Sequence, residues 1–150
     1  MMLGRGLTYE QLETGTIFHS ERLTVTEDSI IRFAFEWDPQ PFHIDRIAAG
    51  SSLFGGLIGS GLHTLLISYR LYLDTGILKG TALAGLGIDD VRFLLPLKPS
   101  DTISVVVAVG EKSKTRHPDR GRVKLHLRTH NDSGEAILTF TINALVCTTL

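Results

Sequence analysis

The sequence predicts an α+β domain in which a curved antiparallel sheet wraps around one long buried helix. Three observations carry that expectation. Apolar residues are spaced helically in the first half of the chain, whereas from Leu83 onward the period changes to two. From about Gly61 to Asp74, the residues Leu62, Leu65, Leu66, Ile67, Tyr69, Leu71, Tyr72 and Leu73 surround most of a helix, the pattern of a helix buried on all sides. The later strands are long and joined by short turns, which makes consecutive strands antiparallel neighbours. With 150 residues, 43% apolar and 21% charged, the chain suits one domain with one core, residues 1–150.

Each element has a local reason. Thr8-Tyr9-Glu10-Gln11 has capping-box spacing and predicts a short helix ending near Gly15. Thr16 to Val25 reads as a first strand. Thr26 is a good N-cap, with Glu27 and Asp28 in the first turn where carboxylates favour the helix dipole. Ile30, Ile31, Phe33, Ala34 and Trp37 give that helix its apolar face, and Asp38-Pro39-Gln40-Pro41 must break it. Asp45 reads as the N-cap of another short helix. A Gly/Ser-rich loop, Gly50 to Gly56, leads to the buried helix, which Gly76 closes. Strands are expected at about 83–94, 102–113, 121–131 and 135–148, with turns at 95–101, 117–121 and 131–134. Such a sheet leaves an open half, so a homodimer is expected.

Composition excludes several function classes. Fifteen basic against 16 acidic side chains give a net charge of −1, which argues against a general electrostatic grip on nucleic acid. One cysteine, Cys147, excludes an internal disulfide framework and a Cys-based zinc cluster. Residues 1–10 lack an apolar signal core, and the longest purely apolar stretch, Val105 to Val109, is far shorter than a membrane span. A soluble cytoplasmic protein is expected. No metal site is expected either, because no His-Glu-x-x-His occurs and His19, His63, His117, His126 and His130 form no familiar ligand spacing. Nucleophilic catalysis lacks a Gly-x-Ser-x-Gly elbow, and Cys147 lies in an apolar strand where a thiol is inert.

Two segments can carry chemistry. In Asp38-Pro39-Gln40-Pro41-Phe42-His43-Ile44-Asp45, two prolines stiffen the turn between a carboxylate and an imidazole, a pair able to hold and activate one water. The same two residues also suit an Asp that caps a turn and a His that packs at a helix start. In Gly55-Gly56-Leu57-Ile58-Gly59-Ser60-Gly61-Leu62-His63, small residues stand at the N-terminus of the long helix. Free backbone N–H groups there suit a carbonyl oxygen developing negative charge, and equally suit a tight approach that needs glycine for backbone fit. His63 reads as a structural histidine or as a pocket residue. Gly85 and Gly87, taken to lie on one strand face, leave room for an acyl chain or allow close helix–strand packing. Arg122, Lys124, His126, Arg128 and His130 occupy one strand face, either as a solvated outer row or as an attraction for phosphates such as those of coenzyme A or an acidic carrier protein.

The string Phe33 to Asp45 resembles the signature of MaoC-like (R)-specific enoyl-CoA hydratases, Asp-x-Asn-Pro-x-His-x-Asp. Phe54 to His63 looks like that family's approach to its central helix, and Val91 to Asp101 resembles its Phe-x-x-Pro-x-x-x-Gly-Asp segment. The resemblance implies a hot-dog fold, a homodimer and a reaction without a cofactor. It implies that Asp38 and His43 are the catalytic pair and that the Gly61 N–H serves the thioester oxygen. Gln40, Ser60 and His63 are expected to contact substrate. Gln40 replaces the usual Asn, Ser60 the His before the glycine, and Ser100 the turn glycine; these departures resemble the branch called MaoC-like or acyl dehydratase. The implied activity is reversible hydration of a 2-enoyl thioester to the 3-hydroxyacyl form, with an acyl-CoA or acyl carrier protein thioester as partner, in fatty acid metabolism. The rivals are a hot-dog acyl-CoA thioesterase and a non-catalytic acyl-thioester binding subunit.

Overall fold

Thr26 begins the first helix as its chemistry predicts: its hydroxyl accepts the Ser29 N–H at 3.1 Å, and α1 runs Glu27–Trp37. The computed structural model describes residues 5–149. The two prolines then stop α1 and open a one-turn helix, α2 (Pro41–Ile44), with Pro41 at its first position. Asp45 caps α3 (Arg46–Gly50) by accepting the Ile47 and Ala48 N–H groups, as expected. The long helix α4 spans Gly61–Asp74.

Upstream, two expectations change. Residues 8–15 make two turns, at residues 9–11 and 14–15, not a helix. Thr8 N–H donates to Gln11 Oε1 (2.9 Å) and Leu12 N–H to Thr8 O (3.1 Å), but Leu12 is drawn fully into the core. Gly15 N–H is then taken by Val109 O at 2.8 Å, which turns the chain into the sheet. The single strand expected over 16–25 is two, β1 (Ile17–His19) and β2 (Leu23–Thr24). Both pair with β4 (Thr102–Lys114), but the pairing sum changes from His19↔Val106 to Leu23↔Ile103, so one extra residue is bulged out between them. Ser20 holds the bulge by accepting the Val105 N–H on its hydroxyl at 2.8 Å.

The remaining strands are β3 (Ala82–Phe93), β5 (Arg120–His130) and β6 (Ala136–Cys147), each within one residue of its expected bounds. The sheet order is β1-β4-β5-β6-β3, antiparallel at every pairing, with β2 also on β4. Alternation along β5 is strict: Val123, Leu125, Leu127 and Thr129 are buried, whereas Arg122, Lys124, His126 and Arg128 are exposed. The buried row faces α4, where the Ser68 and Thr129 hydroxyls bond at 2.7 Å and Ser68 also donates to Thr64 O. That pair satisfies two buried hydroxyls at the helix–sheet contact, which is otherwise filled by apolar side chains.

The expectation of an all-round buried α4 needs correction. Leu62, Leu66 and Leu73 are each about half exposed, because β3 ends the sheet and nothing among the described residues extends past it to cover that side of the helix. Leu83, Leu86 and Ile88 of β3 are exposed too. A bulge between Gly85 and Gly87 also separates those two glycines: Gly85 pairs with Ala144, on the α4 side, and Gly87 with Asn143, on the other. No atom approaches within 4 Å of a Cβ position at either one, so they do not serve close helix–strand packing. Among the described residues, no helix is long and apolar enough to cross a membrane.

Candidate active site

The broken end of α1 positions the first site residue. Asp38 N–H closes the helix on Ala34 O at 2.8 Å, and Gln40 N–H turns back to Asp38 O at 2.8 Å. That turn places the Gln40 amide on its neighbour: Gln40 Nε2 donates to Asp38 Oδ1 at 2.7 Å. The other carboxylate oxygen, Oδ2, accepts the Ser60 hydroxyl at 2.7 Å. Burial pushes the Asp38 carboxyl up, but the hydrogen bonds from Gln40 and Ser60 and the nearby His43 outweigh it and hold the carboxyl below its ordinary value. Asp38 is therefore an ionised acceptor at neutral pH.

His43 lies on α2, only 4% exposed, with Nδ1 2.7 Å from the Ile58 carbonyl oxygen. A carbonyl can only accept, so Nδ1 carries the proton and, in the neutral ring, Nε2 presents its lone pair. Nε2 stands 3.4 Å from Asp38 Oδ2. Two acceptors therefore converge, an arrangement that calls for a shared proton or a bridging water.

The segment before α4 is pinned at both sides: Ile58 N–H donates to Phe42 O and Gly59 N–H to Leu97 O. Ser60, fully buried, is the N-cap of α4, accepting the Leu62 N–H at 3.2 Å while it donates to Asp38. Gly61 follows as the first residue of the helix, so its N–H has no partner within the helix. A Cβ at Gly61 would stand 2.6 Å from the Phe93 ring, so any side chain there would require that ring to move. His43, Gly61, Phe93, Leu97 and Ile137 are among the walls of a cavity of about 270 Å³.

The structure thus brings Asp38, His43, Gln40, Ser60 and Gly61 together. Gln40 and Ser60 bond to the Asp38 carboxylate and stand outside the cavity wall. His63 is separate. Two residues beyond Gly61 it turns to another side of α4 and stacks on Phe33, ring centroids 4.5 Å apart and nearly parallel. Burial lowers its pKa and keeps the ring neutral, and its Nδ1 is buried with no hydrogen-bond partner. Sequence reasoning did not single out Phe93 or Ile137 as site residues. Phe93 was visible only as part of a strand-end motif, and Ile137 had no local signal. The basic row of β5 lies on the face of the sheet opposite α4, so it does not line this cavity; there His126 bonds to Thr141 and Glu111. Among the described residues, no group of three or more His, Cys, Asp or Glu is placed to hold a metal ion.

Comparison with known proteins agrees with this geometry. The model of the MaoC-like domain matches residues 11–131. The chain belongs to the MaoC-like dehydratase family. Among solved structures, a monoamine oxidase regulatory protein from Archaeoglobus superposes with a TM-score of 0.91 at 30% identity, covering 100% of both chains. A MaoC-like dehydratase from Rhodospirillum rubrum superposes at 0.87 and 35% identity, covering 97% of this chain and 99% of that one. The (R)-hydratase PhaJ1 from Pseudomonas aeruginosa, at 23% identity, 95% and 86% coverage and a TM-score of 0.75, shares the fold. The sheet wrapped on α4 is accordingly a MaoC-like hot-dog fold.

Proposed function

We propose that this MaoC-like protein is a cytoplasmic, homodimeric hydro-lyase that reversibly hydrates a 2-enoyl thioester, CoA-linked, in fatty acid metabolism. One observation carries the reading. The ionised Asp38 carboxylate and the lone pair of His43 Nε2 converge at 3.4 Å beside a cavity that also contains the N-terminus of α4.

The geometry supports a defined sequence of events. A water held between Asp38 and His43 gives up one proton to the pair, and its oxygen bonds to C3 of the enoyl group. The π electrons move to the thioester oxygen, where the unpaired Gly61 N–H and the positive end of α4 stabilise the enolate. C2 then takes a proton from the pair, giving the 3-hydroxyacyl thioester. Dehydration is the reverse. Gln40 and Ser60 act through Asp38, fixing both of its oxygens so that one orientation of the water is favoured.

The test is loss of enoyl-thioester absorbance with a panel of short, branched and aromatic trans-2-enoyl-CoAs, followed beside free thiol. Turnover without thiol release is expected. In folded Asp38→Asn and His43→Ala proteins it should fall by about 10²–10⁴-fold, the usual worth of a positioned acid or base. Thiol release would assign a thioesterase instead, and ligand-induced stabilisation without turnover, unchanged by Asp38→Asn, would assign a binding subunit.

A further inference from the structure

We propose that a groove beside the His43 cavity, walled by Arg46, Lys98 and the loop at Gly56 and Leu57, binds the phosphate that ends the pantetheine arm of the substrate. The substrate class in this statement rests on the hydratase reading above; the attraction of the groove for a phosphate does not.

The groove encloses about 450 Å³ and shares Phe54 and Ile58 with the cavity of about 270 Å³, so the two adjoin. Leu97 is buried and lines the cavity, whereas the next residue, Lys98, is exposed and lines the groove. From Leu57 to Gly61 is a step of four residues, which spans at most about 14 Å. The pantetheine arm, with its two amides, has the length of about four to five residues, on the order of 15 Å. A thioester oxygen held at the Gly61 N–H therefore brings the phosphate at the far end of that arm within reach of the groove.

Three kinds of group in the groove suit a phosphate. Lys98 has no ion-pair partner among the described residues, since the neighbouring Asp101 carboxylate is turned to the Lys98 backbone N–H at 2.9 Å. Arg46 meets Glu27 through Nε at 3.4 Å, a long contact that leaves its two terminal nitrogens for a phosphate, an anion that a guanidinium fits in planar fashion. Glu27 is the acidic side chain of the groove wall, and with it paired the wall keeps the positive charge of Lys98. The backbone supplies the third kind. Neither the Gly56 nor the Leu57 N–H has a partner among the described residues, although Leu57 is only 7% exposed. An N–H left unpaired at the wall of an open groove is a donor for water or an anion. Gly55, with a φ of +69°, makes the turn, and no atom lies within 4 Å of a Cβ position at Gly55 or Gly56, so the loop backbone is open to a ligand.

The experiment compares wild type with Arg46→Ala, Lys98→Ala, the double variant and Lys98→Arg. Turnover is measured on the crotonyl thioesters of CoA, of phosphopantetheine and of pantetheine, the last of which carries no phosphate. Binding of the matching saturated butyryl thioesters, which cannot be hydrated, is measured by calorimetry. Each alanine variant should raise KM for the two phosphate-bearing thioesters by about three- to fivefold, and the double variant by about tenfold or more, with little change in kcat. The ratio of KM for pantetheine to KM for CoA should fall by the same factors, and Kd should follow KM. Lys98→Arg should restore the ratio, and raised salt should narrow the gap between wild type and the double variant. A double variant whose ratio stays within about twofold of wild type in both assays overturns the proposal. So does an equal rise for all three thioesters, which would mean a structural role. An effect on the CoA thioester without one on the phosphopantetheine thioester would put a nucleotide phosphate in the groove and overturn the assignment to the phosphate of the arm. Binding ratios that shift as expected while wild type hydrates no enoyl thioester would sink the hydratase reading and leave the groove in its assigned role.

Discussion

The Ser60 hydroxyl donates to Asp38 Oδ2 at 2.7 Å while accepting the Leu62 N–H at 3.2 Å, so one buried side chain is both the cap of α4 and a brace for the Asp38 carboxylate. Ser60→Ala should therefore produce two separable effects. Loss of the cap should cost about 0.5–2 kcal/mol, read from denaturant unfolding at pH 7. Loss of the donor removes one of the groups that keep the Asp38 carboxyl below its ordinary value. The acidic limb of the kcat/KM profile should then move to higher pH, with kcat also reduced. Ser60→Thr, which retains the hydroxyl, should restore the acidic limb. A Ser60→Ala enzyme whose acidic limb stays in place would show that Ser60 only caps the helix.

How much of this site could be read from the sequence depends on the distance over which each contact is made. Asp38 and His43 are five residues apart across two prolines, and the stiff turn that joins them was legible as a unit. Gly61 was legible because small residues before an apolar run mark a helix start. Phe93 and Ile137 come to the cavity through the pairing of β3 with β6, a contact over more than forty residues that bulges re-aim at several points. No local pattern encodes a bulge: alternation alone put Gly85 and Gly87 on one face, and the observed register puts them on two. His63 stands apart from the site for a related reason. It follows Gly61 by two positions, which in a helix means a different side, and the aromatic partner that holds it, Phe33, lies thirty residues upstream. Burial of α4 could not be judged from its composition because one of its sides is left half exposed by the described residues.

The stacked, buried His63 gives the fold a pH dependence of its own. Burial lowers its pKa below the unfolded value, so between the two values the unfolded chain binds the proton that the folded chain refuses. Stability is fully present above about pH 6.5, the unfolded value, and declines as pH falls toward the folded one. His63→Phe keeps a ring on Phe33 and removes the titration. Between pH 7.5 and pH 5.5 its melting temperature should fall less than that of wild type. Parallel declines in the two proteins would exclude His63 as the group responsible.

Ser100 occupies the position where the family resemblance expects glycine, and the turn shows why glycine belongs there. Its φ is +73°, in the left-handed region, while its N–H donates to Val25 O at 2.7 Å and Asp101 closes the turn on Lys98. A side chain in that conformation costs about 1–2 kcal/mol, partly offset because glycine loses more freedom on folding. Ser100→Gly is expected to stabilise the protein by about 1 kcal/mol, a rise of about 2–4 °C in Tm. Ser100→Ala should bring no such gain, since it retains the Cβ. Equal melting temperatures for Ser100→Gly and wild type would mean that the turn relaxes around serine.

The uncovered side of α4 and the free edge of β3 make the strongest demand on a second copy of the chain. Leu62, Leu66 and Leu73 on the helix and Leu83, Leu86 and Ile88 on the strand are exposed, and β3 offers the unpaired backbone groups of a terminal strand. Such an edge on a soluble protein is normally covered, and a stable interface buries more than about 1,000 Å². Light scattering coupled to size exclusion should give twice the 16.5 kDa chain mass. Leu66→Lys places a charge on a side chain that the isolated chain already leaves in water. A monomer could hold it at little cost, whereas a closed apolar interface could not. The variant should elute near the single-chain mass, retain its secondary structure and melt at a lower temperature that no longer depends on protein concentration. Wild type eluting at the single-chain mass would refute the dimer, and Leu66→Lys unchanged as a dimer would direct the search for its contact away from this side of α4.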